Sequence, residues 1–274
     1  MNWRMWWLGL MLVVGMGCGK GDTHKTQAPG GPATRLASDG EVQLRVGCAE
    51  HLSELADALL KGYRKANPGT QVELELSGPG ELLKSLHRGT SDVDVVLSSV
   101  EPDMRELQNK GNLIPGSLVV IAHNTIGLLA RLDRKMGPVD LQTLAQDPRF
   151  KTIAMGDPTY VPASILARQG LEALGVWDGL VESGKLQWTT NAGAALDGLN
   201  KNTVDGAFGY VTEAMPARGM EVLATVSGAG VPTTPYLIAS PTTAPHPDEA
   251  EKFREFALGE EGQAVLAGMN FLGK

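Results

Sequence analysis

The hydrophobic positions of residues 41–124 switch between two spacings, one typical of strands and one typical of helices. Alternating or continuous apolar runs predict strands over 41–48, 71–77, 93–99 and 117–124. Apolar residues three and four positions apart predict helices over 51–69, 80–89 and 101–111. The apolar positions of the first helix are Leu52, Leu55, Ala56, Leu59, Leu60 and Tyr63. This part of the chain therefore alternates strand and helix.

Residues 140–271 follow the same alternation. Strands are predicted over 152–157, 185–190, 206–214 (a strand and a turn), 220–227 and 235–240. Helices are predicted over 140–147, 162–175 and 192–202, and residues 247–271 hold two more. We find no short internal repeat, so the two halves share only an architecture.

This order predicts an α/β protein with two lobes, each a mostly parallel sheet flanked by helices. In open parallel sheets, ligands bind beyond the carboxyl ends of the strands, against the N-termini of helices. Four strand-to-helix junctions are therefore expected to face a cleft between the lobes: 48–52, 77–81, 161–164 and 190–193. The unpaired N–H groups of helix N-termini suit an anion.

Residues 1–18 contain one arginine, an apolar stretch and small residues around Cys18, which predicts an export signal. A cysteine directly after Gly-Met-Gly resembles the signal of bacterial lipoproteins, in which the cysteine carries lipid. An ordinary cleaved signal and a retained anchor are the alternatives. Residues 19–40 are polar and rich in Gly and Pro, which predicts a flexible linker. We therefore expect a lipid-anchored protein in the periplasm or cell envelope.

The composition excludes some classes of function. The net charge is −7 and no basic run occurs, which argues against nucleic acid as a partner. There are two cysteines, so lipidation of Cys18 would leave Cys48 without a disulfide partner. The chain has no G-x-S-x-G, no Walker loop and no H-E-x-x-H motif. The sequence therefore predicts a binding protein without a cofactor, not an enzyme.

Two segments of the second half resemble the periplasmic molybdate-binding proteins that feed ABC importers. The segment GDPTYVPASILARQGLEALGVWDGL (156–180) is similar to that family's strand, G-D-P-x-x-V-P-A-G turn and helix. The segment NAGAALDGLNKNTVDGAFGYVTEA (191–214) is similar to the helix and strand that end in the family's site tyrosine. VDVVLSS (93–99) and NLIPGSLVVIA (112–122) resemble a strand and a crossover of that family, and the resemblance extends over residues 41–274.

The resemblance implies a type II periplasmic binding protein-like fold. Lobe 1 would contain residues 41–122 plus 231–274, and lobe 2 would contain 123–230, with hinge closure over the ligand. It also implies a monomer that captures molybdate, tungstate or a similar tetrahedral oxyanion for the permease of an ABC importer. The family holds its dianion with neutral donors. Carried over, these donors are the backbone N–H groups of Ala163 and Ala192 and the hydroxyl of Tyr210.

The first half departs from the family's pattern at both of its site serines. His51 stands at the first position and Pro79 at the second, and proline has neither a hydroxyl nor an N–H group. We expect His51 to offer an imidazole N–H instead. Either the hydroxyl of Ser77 or a small anion nest of the Gly78 and Gly80 amides would complete the first-lobe side.

Two alternatives stay open. The Ala-Glu-His turn at His51 also resembles the Gly-Gln-His turn of two-lobed ferric-ion-binding proteins, which use the histidine as an iron ligand. A metal site in this chain would centre on His51 and Tyr210, but those proteins usually carry two adjacent tyrosines, and here Gly209 precedes Tyr210. A ligand sensor that works without an importer is the other alternative.

Overall fold

The structure is a computed structural model that describes residues 42–78, 80–214 and 218–273. Its strands, in chain order β1 to β10, are Val42–Ala49, Thr70–Ser77, Val95–Ser98, Val119–Asn124, Ile126–Arg131, Ile153–Gly156, Leu186–Thr189, Gly206–Tyr210, Met220–Thr225 and Thr234–Ala239. Its α-helices, α1 to α8, are Ser53–Ala66, Glu81–Arg88, Glu101–Asn109, Pro162–Ala173, Trp177–Glu182, Ala192–Asn200, Pro247–Leu258 and Glu260–Gly268.

The strands form two five-stranded sheets, ordered β2-β1-β3-β10-β4 and β7-β6-β8-β5-β9. In each sheet four strands share one direction, and one strand, β10 or β5, runs against both of its neighbours. Each reversed strand is the first one formed after the chain passes from one sheet to the other. The predicted class of two mostly parallel α/β lobes is therefore confirmed. We call the elements around the first sheet the first lobe, and those around the second sheet the second lobe.

The core of the first lobe forms where α1, α7 and α8 pack on the sheet. The apolar positions predicted for the first helix are all buried: Leu52, Leu55, Ala56, Leu59, Leu60 and Tyr63. Helix α1 ends before Pro68, as expected, because proline disfavours helical backbone at the preceding residue. The strand β3 is buried near the middle of its sheet, in agreement with its run of β-branched residues.

A buried polar group joins α1 to α7 within this core. The hydroxyl of Tyr63 donates to Oε1 of Glu249 at 2.5 Å, and Thr70 donates to the same oxygen at 2.9 Å. Lys252 donates to Oε2 at 3.1 Å. Burial alone would raise the pKa of the Glu249 carboxyl, but these donors hold it below its ordinary value.

The second lobe has a separate core between β6, β8, β5 and α4, which includes Met155, Phe150, Phe208 and Leu171. Two asparagines connect the lobes. Asn124, the last residue of β4, donates from Nδ2 to the hydroxyl of Thr212 at 2.9 Å. Asn270 donates from Nδ2 to the carbonyl of Ala214 at 2.7 Å and to that of Val211 at 3.3 Å.

Some sequence predictions were wrong or incomplete. The helix predicted over 140–147 is one 3-10 turn, Leu141–Thr143, followed by turns whose hydrogen bonds also join residues three positions apart, up to Asp147. Strand β5 and helix α5 were not predicted. The signal, Cys18, the linker 19–40 and Pro79 lie outside the described residues, and the lobe boundaries stay a prediction. Among the helices described, none combines the length and apolar character needed to cross a membrane.

Candidate functional site

The predicted site residues of the first lobe lie at one edge of its sheet. Strand β1 pairs in parallel with β2 and with β3, and Ala49 lies beside Ser77. The carboxyl ends of these three strands therefore meet at the same edge, where Ser77 of β2, His51 after β1 and Ser98 of β3 follow one another in the order of the strands. In the second lobe β6 pairs in parallel with β7 and β8, so α4, α6 and Tyr210 also begin at a common edge.

A cavity of about 430 Å³ joins residues of both lobes at these edges. The first-lobe wall of this cavity comes from the start of α1, from β4 and β10 and from the C-terminal segment. The second-lobe wall comes from the end of β8 and the residues that follow it. The polar lining residues are Glu50, His51, Ser53, Glu54, Asn124, Tyr210, Thr212, Glu213, Arg218 and Tyr236. Of the residues predicted from the sequence, the structure thus brings His51 and Tyr210 together.

His51 lies in a 3-10 turn, Glu50–Leu52, that connects β1 to α1. Leu52 is buried beneath this turn, whereas His51 is exposed. The Nε2 atom of His51 lies 3.2 Å from the hydroxyl oxygen of Ser99, just beyond the end of β3. Sequence reasoning missed Ser99, although the Ser-Ser pair that ends a buried strand was a readable signal.

Tyr210 is the last residue of β8, and its ring packs against the core of the second lobe. Its backbone N–H donates to Oε2 of Glu213 at 3.0 Å. Burial raises the pKa of the Glu213 carboxyl above its ordinary value, although this N–H group and the charge of Arg218 act in the opposite direction. The partly desolvated carboxyl of Glu213 therefore contacts the backbone of Tyr210.

Tyr236, on β10, is a second phenol in the same cavity. Burial raises its pKa, the amide of Asn124 at 3.4 Å lowers it, and nearby Tyr210 and Glu213 raise it further. Tyr210 and Tyr236 therefore approach each other from opposite lobes. The pattern of residues 235–240 predicted the strand of Tyr236 but gave no signal of its place in the cavity.

Ala192 is the first residue of α6, and Ala163 is the second residue of α4, after Pro162, so both lie in the first turn of a helix. The first N–H groups of a helix have no acceptor within the helix, so both can donate to a ligand. Asn191 caps α6, because its side-chain oxygen accepts a hydrogen bond from the N–H of Ala194 at 2.8 Å. Both alanines border the same second-lobe core as Tyr210, but neither lines the 430 Å³ cavity.

The turn after β2 lines a different space. Gly78 and Gly80 border a mainly apolar cavity of about 100 Å³, together with His51, Ser98 and Ser99. Ser77 lines neither of these two cavities. His51 lines both, so this smaller cavity adjoins the larger one.

The larger cavity contains an ion pair that the sequence did not predict. Nη2 of Arg218 lies 2.5 Å from Oε1 and 2.6 Å from Oε2 of Glu54. Glu54 is on α1 of the first lobe, and Arg218 precedes β9 of the second. Glu50 and Glu213 add two further carboxyl groups to the lining. The cavity therefore offers hydroxyl, imidazole, guanidinium and carboxyl groups.

The fold and the interlobe cavity define a two-lobed binding protein. Residues 44–271 match the family model described as bacterial extracellular solute-binding protein, and the chain belongs to this family. Membership confirms that it is an extracytoplasmic binding protein and not an enzyme.

The thiol of Cys48 is free and buried, as expected for a small core residue, and burial raises the pKa of this thiol to about 11.

The relatives agree with the predicted resemblance. The molybdate-binding protein ModA of Escherichia coli is 28% identical over 154 residues, which are 56% of this chain and 55% of ModA. The matched stretch thus spans about half the length of this curated relative. A substrate-binding domain from Clostridium difficile has a TM-score of 0.73 at 21% identity, with 85% of this chain and 99% of that chain covered. Iron-bound HitA from Pseudomonas aeruginosa has a TM-score of 0.54 at 19% identity, covering 82% and 84%.

Proposed function

We propose that this protein captures a tetrahedral oxyanion, molybdate or tungstate first, between its two lobes and delivers it to the permease of an ABC importer. The observation that carries this proposal is that His51 and Tyr210, from opposite lobes, line one cavity. The similarity to ModA supports the choice of ligand. A ligand contacted by both lobes stabilises their closure, which is the change that a permease can recognise.

The donors that we assign to the oxyanion are mostly neutral. They are the N–H groups of Ala163 and Ala192, the hydroxyl of Tyr210, the imidazole N–H of His51 and, from the turn after β2, Ser77 or the amides of Gly78 and Gly80. The N–H donors of this set cannot accept a hydrogen bond, so they favour a fully ionised oxyanion, because a protonated one would direct its hydrogen at a group that cannot accept it. Movement of one lobe would be needed to bring Ala163 and Ala192 to the ligand held by His51.

The proposed setting is the outer face of the cytoplasmic membrane, with a monomer tethered through lipid on Cys18 and the linker 19–40. Mass spectrometry of the membrane-bound protein would test the anchor. We expect acyl groups on Cys18 and release of the Cys18→Ser protein into the soluble fraction. An unmodified Cys18 in the membrane fraction would contradict lipidation.

The ligand is tested by calorimetric titration of the purified protein, freed of bound ligand, with molybdate, tungstate, sulfate, phosphate and ferric citrate in turn. Tight binding of molybdate or tungstate that weakens in Tyr210→Phe is expected. Sulfate and phosphate distinguish selective capture from general anion binding. Silence with every oxyanion would overturn the proposal.

A metal ion is the second candidate, and the carboxyl groups of the cavity favour it. Glu50, Glu54 and Glu213 line the same space as His51 and Tyr210, and oxygen and imidazole ligands suit ferric and other transition-metal ions. Among the described residues, no three His, Cys, Asp or Glu side chains form a ready metal cluster. Heat released with ferric citrate but not with citrate alone would support this candidate.

A sensor that works without an importer would bind the ligand but would not contribute to its uptake into the cell.

A further inference from the structure

The only guanidinium among the residues that line the described cavity belongs to Arg218, and it is held by a carboxylate from the opposite lobe. Both oxygens of Glu54 lie within 2.6 Å of Nη2 of Arg218. The two residues are 164 positions apart in the chain, and both side chains face the space that His51 and Tyr210 line.

We propose that Arg218 is a charged ligand contact for the oxyanion, and that Glu54 is a built-in competitor that occupies Arg218 until the anion displaces it. This inference rests on the proposed oxyanion function and adds a residue that the neutral donor set lacks. Arg218 of the second lobe would supply the positive charge, and Glu54 of the first lobe would compete with the anion for it.

The balance of charge in the cavity supports this role. Glu50, Glu54 and Glu213 are the carboxyl groups of the lining, and a dianion placed beside them without a nearby cation would be repelled. Arg218 interacts with two of them, since it pairs with Glu54 and also lowers the pKa of Glu213. Arg218 therefore decides whether the cavity tolerates an anion.

The ion pair is built so that a ligand can open it. The side chains of Arg218 and Glu54 are 42% and 62% exposed, and exposed pairs contribute little because water and salt screen them. A dianion carries twice the charge of the Glu54 carboxylate. The planar guanidinium can donate two parallel N–H groups to two oxygens of a tetrahedral anion, as it does to a carboxylate. The released Glu54 side chain remains at the solvent-exposed start of α1.

The test compares Glu54→Gln, Arg218→Met and Arg218→Lys with the wild type by calorimetric titration with molybdate and tungstate. The matched controls are Glu101→Gln and Arg105→Met, an ion pair of similar exposure on α3 that does not line the cavity. Titrations at about 0.01 and about 1 M ionic strength, where the Debye length is about 30 and about 3 Å, reveal the charge dependence. Thermal unfolding of each variant verifies that it is folded.

Glu54→Gln should bind the oxyanion about two- to fivefold more tightly, because its competition with the ligand is removed. Arg218→Met should bind about ten- to hundredfold more weakly, and salt should no longer weaken its binding, because the charges that remain around the ligand are carboxylates whose repulsion salt screens. Arg218→Lys should keep the salt dependence, because it keeps the charge, and the controls should match the wild type.

If the wild type binds the oxyanion and Arg218→Met binds it with the same affinity, this inference is overturned and the oxyanion proposal stands. Weaker binding by Glu54→Gln would also overturn it, because Glu54 would then be a ligand contact. If the wild type binds no oxyanion, both proposals fail together. If Arg218→Met does not fold, the remaining proteins decide the question. Binding that salt weakens in wild type and in Arg218→Lys, and that is tighter in Glu54→Gln, would support the inference. Binding by the wild type that salt does not weaken would overturn it.

Discussion

The Nε2 atom of His51 and the hydroxyl of Ser99 lie 3.2 Å apart at the carboxyl ends of two adjacent parallel strands, β1 and β3. A serine hydroxyl that donates to Nε2 leaves the proton of a neutral imidazole on Nδ1, which is then free to donate to a ligand. This contact orients the imidazole of His51, which we propose as a ligand donor. It also means that the first-lobe side of the site depends on β3, which sequence reasoning did not include.

His51→Ala is expected to weaken oxyanion binding by about tenfold, because it removes one donor to a charged ligand. Ser99→Ala should have a smaller effect in the same direction, because it removes only the orientation of the ring. Calorimetric titration with molybdate measures both. His87→Ala, which changes a histidine on α2 outside the cavity, should leave the affinity unchanged. Equal affinity of His51→Ala and wild type would exclude the imidazole as a donor.

Two tyrosines should separate binding from stability. Tyr210→Phe removes a hydroxyl but keeps the ring in the second-lobe core, so affinity should fall about tenfold while stability changes little. Tyr63→Phe removes one of the three donors to the buried Glu249, which keeps Thr70 and Lys252, so unfolding free energy should fall by about 1.5–3 kcal/mol while affinity is retained. Calorimetry and urea unfolding measure the two quantities. Unchanged affinity of Tyr210→Phe would contradict its assignment as a ligand contact.

Glu213→Gln should make the folded protein more stable at about pH 8. Because the pKa of Glu213 is raised in the folded state, the stability that it contributes is present below its ordinary pKa of 4.5 and is lost as pH rises through the raised value. Glutamine mimics the protonated carboxyl and still accepts from the N–H of Tyr210. Urea unfolding at several pH values should show the advantage of the variant growing from pH 4 to about pH 8.

Glu249→Gln provides the opposite sign for comparison. The pKa of Glu249 is lowered in the folded state, so its stabilisation is present above its ordinary pKa of 4.5 and is lost as pH falls through the lowered value. This variant should therefore be less stable than wild type at about pH 8, and the difference should shrink in acid. Parallel pH profiles for both variants would contradict the assigned shifts.

Asn270 should stabilise the protein in two separable ways. It adopts a left-handed backbone, with φ of 64°, and its side chain donates to two carbonyls of the second lobe. Asn270→Gly keeps the backbone conformation but removes both hydrogen bonds, whereas Asn270→Ala also introduces backbone strain of about 1 kcal/mol. Urea unfolding should rank wild type above Gly and Gly above Ala. Equal stability of the two variants would show that strain is not involved.

Sequence alone predicted most elements of both lobes, because their signals are local. The spacing of Leu55, Leu59 and Tyr63 defined α1, and the β-branched run defined β3. It failed for β5, which follows β4 after a single residue and shows no helical segment before it. The resemblance to molybdate-binding proteins also came from local segments, and it supplied both His51 and Tyr210 as candidates.

Which candidates share a space was decided only by the tertiary structure. It brought His51 and Tyr210 to one cavity, while Ala163 and Ala192 lie outside that cavity's lining. Glu54 and Arg218 carry no motif, and their pairing exists only because two lobes assemble from segments 164 residues apart. Periodicity reports which face of one element is buried, but it holds no information about the charges that a different lobe places opposite that face.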